Sequence, residues 1–348
     1  MPVARNSIRL LMLSSLFLAG ATASADDTTN PDFIPEAVEG VGDDANTGWT
    51  PFLSTGGNLS YATSKGVVGA ADGATFTGGL ILNGGLNFLD AKERHEWTTT
   101  VGWNLAYTNT PTVPVFVKSA DILSLQSTWL YHLPKAPWVG PFADVRMTSA
   151  VFPGYLVSGA DVEVQRLNVD GTSGSLDSLA AIEQYGLTTG FSPTTLRESA
   201  GVFVQPISKD IVTIEARAGL GAWESFVRDG YYVADDDTTE TIEVQQMQDS
   251  VQVGSEINVA ANGAVNELIS YTTSASLMLP FVNNADTDLT GTELLNQEYT
   301  AGLSLKLSKF AALQYQFSAV NTPLVVNAWQ INNALLLSFS ANLVGEGS

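Results

Sequence analysis

The sequence predicts an all-β protein, an antiparallel transmembrane β-barrel of about twelve strands with short turns at one end and longer loops at the other. Two observations predict it. From Trp49 onward polar and apolar residues alternate with period two, which gives each segment one apolar and one polar face, because successive strand side chains point to opposite sides. Short and long connections also take turns along the chain, the rhythm of a barrel whose turns meet one membrane surface and whose loops meet the other.

The N-terminus reads as an export signal. Arg5 and Arg9 precede an apolar run from Leu10 to Ala19, and Ala23-Ser24-Ala25 supplies small residues for cleavage after Ala25. A spanning helix needs about 20 apolar residues, and this run is shorter. No Cys follows it to carry a lipid anchor. Residues 26–48 are acidic, rich in Pro and Gly and without periodicity, and read as a flexible periplasmic leader. The barrel then occupies residues 49–348. No later segment is apolar and long enough for a spanning helix, so a membrane-embedded chain has to close its strands into a barrel to pair its backbone groups.

The strands are expected near 50–63, 74–90, 94–108, 118–132, 137–152, 196–207, 210–225, 249–261, 266–281, 296–308, 309–320 and 328–344. Alternation is cleanest where Ser304, Lys306 and Ser308 interleave with Leu303, Leu305 and Leu307, and where Thr213, Glu215 and Arg217 oppose Val212, Ile214, Ala216 and Ala218. Thr98, Thr100, Gly102 and Asn104 oppose Trp97, Thr99, Val101, Trp103 and Leu105 in the same way. Tight turns are expected at 91–93, 133–136, 208–209 and 308–309, with a looser one at Asn262-Gly263-Ala264. The long connections are 64–73, 109–117, 153–195, 226–248, 282–295 and 321–327.

Aromatic residues gather at both ends of these strands, as they do where rings sit at headgroup level. Trp49, Phe52, Phe88, Trp97, Tyr131, Trp138 and Phe310 fall toward the turns; Tyr61, Tyr107, Phe152, Trp223, Phe226, Phe281 and Trp329 fall toward the loops. A soluble β-sandwich is the competing architecture. It accounts for alternation and export, but not for the short-long rhythm or for an outward face as apolar as Leu303-Leu305-Leu307.

Composition narrows the function classes. The 348 residues carry a net charge of -21, which argues against nucleic acid as a partner. With no cysteine, thiolate metal sites and cysteine nucleophiles are excluded. The two histidines, His95 and His132, lie beside expected turns. His95-Glu96 opens like a zinc-protease motif, but Thr99 stands where the second His belongs. No phosphate-binding glycine loop or nucleophile elbow occurs. Neither His lies at the loop rim, where a barrel-borne lipase would need it. The chain is therefore expected to be no enzyme and to need no cofactor.

Residues 115–155 carry the most distinctive stretch. Lys118-Ser119-x-Asp121-x-Leu123, Thr148 and Pro153-Gly154-Tyr155, continued by Phe191-Ser192-Pro193, resemble an uncharacterised family of bacterial outer-membrane barrels over roughly residues 50–207. The resemblance implies a barrel at the outer membrane of a Gram-negative bacterium. It transfers no functional residues. The chain departs from many such barrels at its end, where Gly345-Glu346-Gly347-Ser348 trails the alternating Phe339 and Leu343.

Charges on inward faces are the candidate lumen residues: Asp144, Arg146, Glu215, Arg217, Glu256 and Lys306. Opposite charges across a lumen set the field that a permeating solute meets. The expected function is passive passage of small polar solutes or ions, and the alternative is a closed barrel serving as a structural or surface-interaction element. Within 153–195, the segment Leu176 to Tyr185 is expected to form a short helix capped by Ser175. Asp235-Asp236-Asp237 and Asp286-x-Asp288 are acidic loop clusters where divalent cations can tether loops to anionic headgroups. The expected partners are outer-membrane lipid, lipopolysaccharide and the barrel-assembly machinery.

Overall fold

A computed structural model describes residues 47–64, 73–209, 211–235, 239–284, 287, 289–308, 311–324 and 326–344. The export signal, most of the leader, Phe310, Asp236, Asp237, Asp286 and Asp288 lie outside the described residues, as does the side chain of Tyr61.

Twelve long strands close on themselves. They are β1 (Gly48–Ser64), β2 (Gly73–Leu89), β3 (His95–Asn109), β4 (Val117–Tyr131), β5 (Val139–Ser149), β10 (Thr194–Lys209), β11 (Val212–Phe226), β14 (Ser250–Asn266), β15 (Ile269–Asn283), β16 (Asn296–Lys306), β17 (Ala311–Thr322) and β18 (Val326–Val344). Each pairs antiparallel with its neighbours, and β1 seals the cylinder by pairing with β18 from Leu59↔Leu337 to Leu53↔Val344. A single sheet closed on itself has no edge and is not two sheets packed face to face, so the sandwich is excluded. No helix among the described residues is long and apolar enough to cross a membrane.

The exterior is apolar. Leu53, Leu59, Leu80, Leu86, Val202, Leu220, Ile257, Val259, Leu303 and Ile331 are all exposed there. So continuous an apolar wall is far beyond the patches that water-soluble surfaces carry, and lipid tails are its natural surroundings. The inward positions of the same strands are mostly Ser, Thr, Asn and Gly, with charges in one sector.

Aromatic rings frame the wall. Trp49, Phe88 and Trp97 touch in a row at the turn end, with Trp49 4.9 Å from Phe88 and 6.4 Å from Trp97. Tyr107, Phe152, Phe226, Phe281 and Trp329 are exposed toward the loops. Trp223 departs from the expected belt: it pairs with Arg197 and Gln252, and its side chain is buried. Phe52 also lies inward, since its ring would meet a Cβ added at Gly85.

Two expectations are corrected. The turn placed at 262–264 lies at Glu267–Leu268, because β14 and β15 stay paired through Ala264↔Ser270 and Asn266↔Ile269; Asn266 Oδ1 accepts from the Leu268 and Ile269 amides and closes it. The expected helix at 176–185 is instead the end of one strand, a turn at 180–183 and the start of another. Residues Ser173–Leu179 form β8 and Gln184–Thr188 form β9. The two loops that follow β5 and β11 also supply β6 (Gly154–Val157), β7 (Val162–Leu167), β12 (Tyr231–Val233) and β13 (Ile242–Gln246). Strands β12-β13-β7-β8 make one small sheet and β6-β9 another. Leu179, read as a helix position, buries itself with Leu156, Val164, Leu187 and Val244 in a core shared by both loops. Tertiary burial overrides a helical spacing of only a few residues.

The resemblance motif has a structural role. Ser119 is an extra residue in β4, since Ala106 pairs with Ala120 and Tyr107 with Lys118. That bulge puts Lys118 and Asp121, three apart, on the same side of the sheet. The buried Asp121 carboxylate accepts from the Phe152 amide at 2.6 Å, Lys118 Nζ at 2.9 Å and Trp103 Nε1 at 3.1 Å. Lys118 Nζ also donates to the Phe152 carbonyl at 2.7 Å. The start of the long loop is thereby clamped where β4 runs on beyond β5. Asp121→Ala removes charge-assisted bonds worth about 1.5–3 kcal/mol each, so limited proteolysis within 150–193 is expected to speed up at least about tenfold in the folded barrel. An unchanged cleavage rate would show that the clamp does not hold this loop.

Candidate lumen site

The charged residues converge from the inward faces of neighbouring strands. On β5, Gly140, Phe142, Asp144 and Arg146 point inward; on β11, Glu215 and Arg217 do so; on β14, Glu256 does. Asp144 is 5% exposed and holds two cations: Arg146 Nε donates at 2.8 Å and Arg217 Nη1 at 3.4 Å. Gln126 donates to it at 3.2 Å, and the Thr128 hydroxyl also donates. Arg217 Nε donates to Glu215 at 2.6 Å. Glu256 stands on the next strand, paired across to Gly219, and its carboxylate rests against Gly221, where an added Cβ would come within 2.3 Å of Oε2. Glycine at 221 makes the room.

Four of the six expected lumen residues, Asp144, Arg146, Glu215 and Arg217, thus form one network, and Glu256 stands on the strand beside it. Lys306 does not join it: it lies exposed at the turn end of β16, paired across to Ala312.

Two further residues, Arg197 and Glu298, complete the constellation. Arg197 Nη1 donates to Glu298 Oε2 at 2.6 Å, and its guanidinium lies 3.9 Å from the Trp223 ring centroid. Strands β10 and β16 are separated around the wall by β11, β14 and β15, so this ion pair is a strut through the interior. A circular wall of twelve tilted strands about 4.8 Å apart would hold those two strands about 20 Å apart. Arg and Glu meeting at 2.6 Å do not reach that far, and the barrel is drawn in between them. Glu298 had a sequence signal, since it shares alternation with Thr300, Gly302, Ser304 and Lys306. Arg197 had none, because Glu198 beside it presents an equal charge to the other face.

Below the network lies an apolar collar. Leu130, Phe142 and the wholly buried Phe203 pack together, and Arg217 sits 5.6 Å from the Phe142 ring centroid. Gly140 admits Phe203, whose ring would crowd a Cβ there at 3.2 Å. His132, in the turn after β4, meets the Phe203 ring edge-on at 5.1 Å. Its Nδ1 donates to the Pro137 carbonyl at 2.6 Å, and Nε2 lies 3.2 Å from Glu96. Satisfying both acceptors takes the protonated imidazolium. The hydrogen bond to Glu96 accordingly raises the His132 pKa above its ordinary value, against partial burial.

Of the acidic loop clusters only Asp235 lies among the described residues. Among the described residues no group of three or more metal-ligating side chains converges.

Neither a protein-family model nor a curated protein matches the chain. Among solved structures, it is similar to an outer membrane channel from Pseudomonas putida F1 (13% identity, 86% of this chain and 96% of that one, TM-score 0.39). It is also similar to the translocator domain of the autotransporter NalP from Neisseria meningitidis (9%, 86% and 89%, TM-score 0.36). The outer membrane channel DcaP of Acinetobacter baumannii overlaps at 9% identity over 85% and 96%, with a TM-score of 0.30. The fold is defined by the closed strand pairing of the chain itself.

Proposed function

We propose that this barrel resides in the outer membrane of a Gram-negative bacterium and passes small polar solutes or ions through its interior. It has no catalytic role in this reading. Short turns and both termini face the periplasm, and the loop sheets face outward toward lipopolysaccharide. The barrel-assembly machinery inserts the chain. The observation that carries the reading is the charged girdle: Asp144 and Glu215 opposed by Arg146 and Arg217, each arginine side chain only 16% exposed yet still reached by solvent. Paired charges of both signs on a lumen wall present a transverse field to a passing solute and leave the wall wettable.

The test is conductance of the refolded protein in planar bilayers. Wild type is expected to form channels. Replacing Arg146 and Arg217 together by Gln leaves Asp144 and Glu215 uncompensated and is expected to raise cation-over-anion permeability severalfold. Folded variants with unchanged selectivity would remove these residues from the pathway.

The second reading, a closed barrel that works through its loops, is favoured by the Arg197–Glu298 strut and the Phe203 collar. Folded, inserted protein that passes neither ions nor sugars would decide for it.

A further inference from the structure

We propose that the loop-ward half of the interior holds a subsite for a neutral polyhydroxylated solute, a sugar or polyol, with Glu298 as its anchoring acceptor. This deepens the solute-passage reading and rests on it. Arg197, Trp223, Gln252, Met278, Asn296 and Glu298 all stand toward the loop ends of their strands and face inward. Their contacts join them into one group. Arg197 lies over Trp223 and pairs with Glu298. Asn296 Nδ2 donates to Gln252 Oε1 at 2.7 Å and approaches Met278 Sδ at 3.3 Å.

Within this group some polar capacity is unused. Glu298 is 2% exposed, and while Oε2 takes the arginine, Oε1 has no hydrogen-bond partner. Asn296 is fully buried, and its Oδ1 is also without a partner. A buried carboxylate oxygen left unmatched is costly. It can only accept, so whatever completes it must donate a hydrogen. Arg197, on the same carboxylate, keeps its side chain 21% exposed.

The chemistry of the donor follows from the neighbours. An ammonium group would satisfy Glu298 Oε1 but would sit against the Arg197 guanidinium already on the same carboxylate, a like-charge contact. A carboxylate would place acceptor against acceptor. A hydroxyl donates to Oε1 without charge. The Asn296–Gln252 amide pair suits it as well, since an amide presents a donor at one end and an acceptor at the other and can meet a second hydroxyl in either sense. Several hydroxyls at fixed spacing are what a sugar or polyol carries.

Glucose, glucosamine and gluconate share a size and differ in charge, and they are the probes. Saturation-transfer NMR on the detergent-solubilised barrel reads binding, and block of single-channel current reads the same site in a bilayer. Glucose is expected to bind and to reduce current, and glucosamine and gluconate to do so far more weakly. Glu298→Gln, which replaces one acceptor oxygen by a donor, is expected to weaken glucose at least about tenfold. Asn296→Leu is the second variant, expected to weaken it similarly should the first fail to regain the heat-modifiable gel mobility of a folded barrel. Conductance without glucose binding, equal binding of all three probes, or glucose binding that both folded variants leave unchanged would each overturn the subsite and spare the channel. Glucose binding by a barrel that never conducts would spare the subsite and overturn the channel.

Discussion

Asp144→Ala is expected to destabilise the barrel by about 3–5 kcal/mol, the largest loss of any single substitution in the lumen. The carboxylate is buried and holds Arg146 and Arg217, with Gln126 and Thr128 donating to it as well. Truncation takes away the buried counter-charge that two guanidinium groups share, and the penalty is that of desolvated cations rather than of one lost contact. Asp144→Asn keeps the shape and one acceptor oxygen and is expected to cost less. Unfolding by urea in lipid vesicles, followed by gel mobility and tryptophan fluorescence, measures both. A cost below about 1 kcal/mol for the alanine variant would mean that water, not Asp144, satisfies the arginines.

Leu220→Arg tests the outer surface. Leu220 is 61% exposed near the middle of β11, pointing away from the inward Gly219 and Gly221. Arginine facing lipid at midplane costs about 2–4 kcal/mol, and this falls to about 0–1 kcal/mol near the interface. Leu307, equally apolar and 56% exposed, sits just past the turn end of β16. Leu220→Arg is therefore expected to lose far more stability in vesicles than Leu307→Arg, and to lose it only in a bilayer. Equal, small effects at both positions would contradict a lipid-facing wall, since a water-exposed leucine tolerates arginine anywhere.

These expectations draw unequally on sequence and on structure. All twelve barrel strands were legible, as was the division of Glu215 and Arg217 from Ala216 and Ala218, because strand alternation is a local property that the pleat imposes residue by residue. The short loop strands were not. Three to seven residues are too few for a periodic signal, and β13 pairs parallel with β7, across some 80 positions of chain. Parity also failed at bulges. Lys118 and Asp121 stand an odd number of residues apart, and only the extra Ser119 returns them to one side. Trp223 shares its inward parity with Glu215 and Arg217, but nothing local marks it as a platform for Arg197 rather than an interfacial ring.

What the residues dictated unaided is the wall: its strands, its greasy outside, its polar inside and the alternation of turns and loops. Contacts through the interior came from closure. Arg197 and Glu298 lie 101 residues apart and on strands that never pair, and they meet because the closed wall, drawn in between their strands, brings them within side-chain reach. Pleat and periodicity say which way a side chain points; only curvature says what it points at.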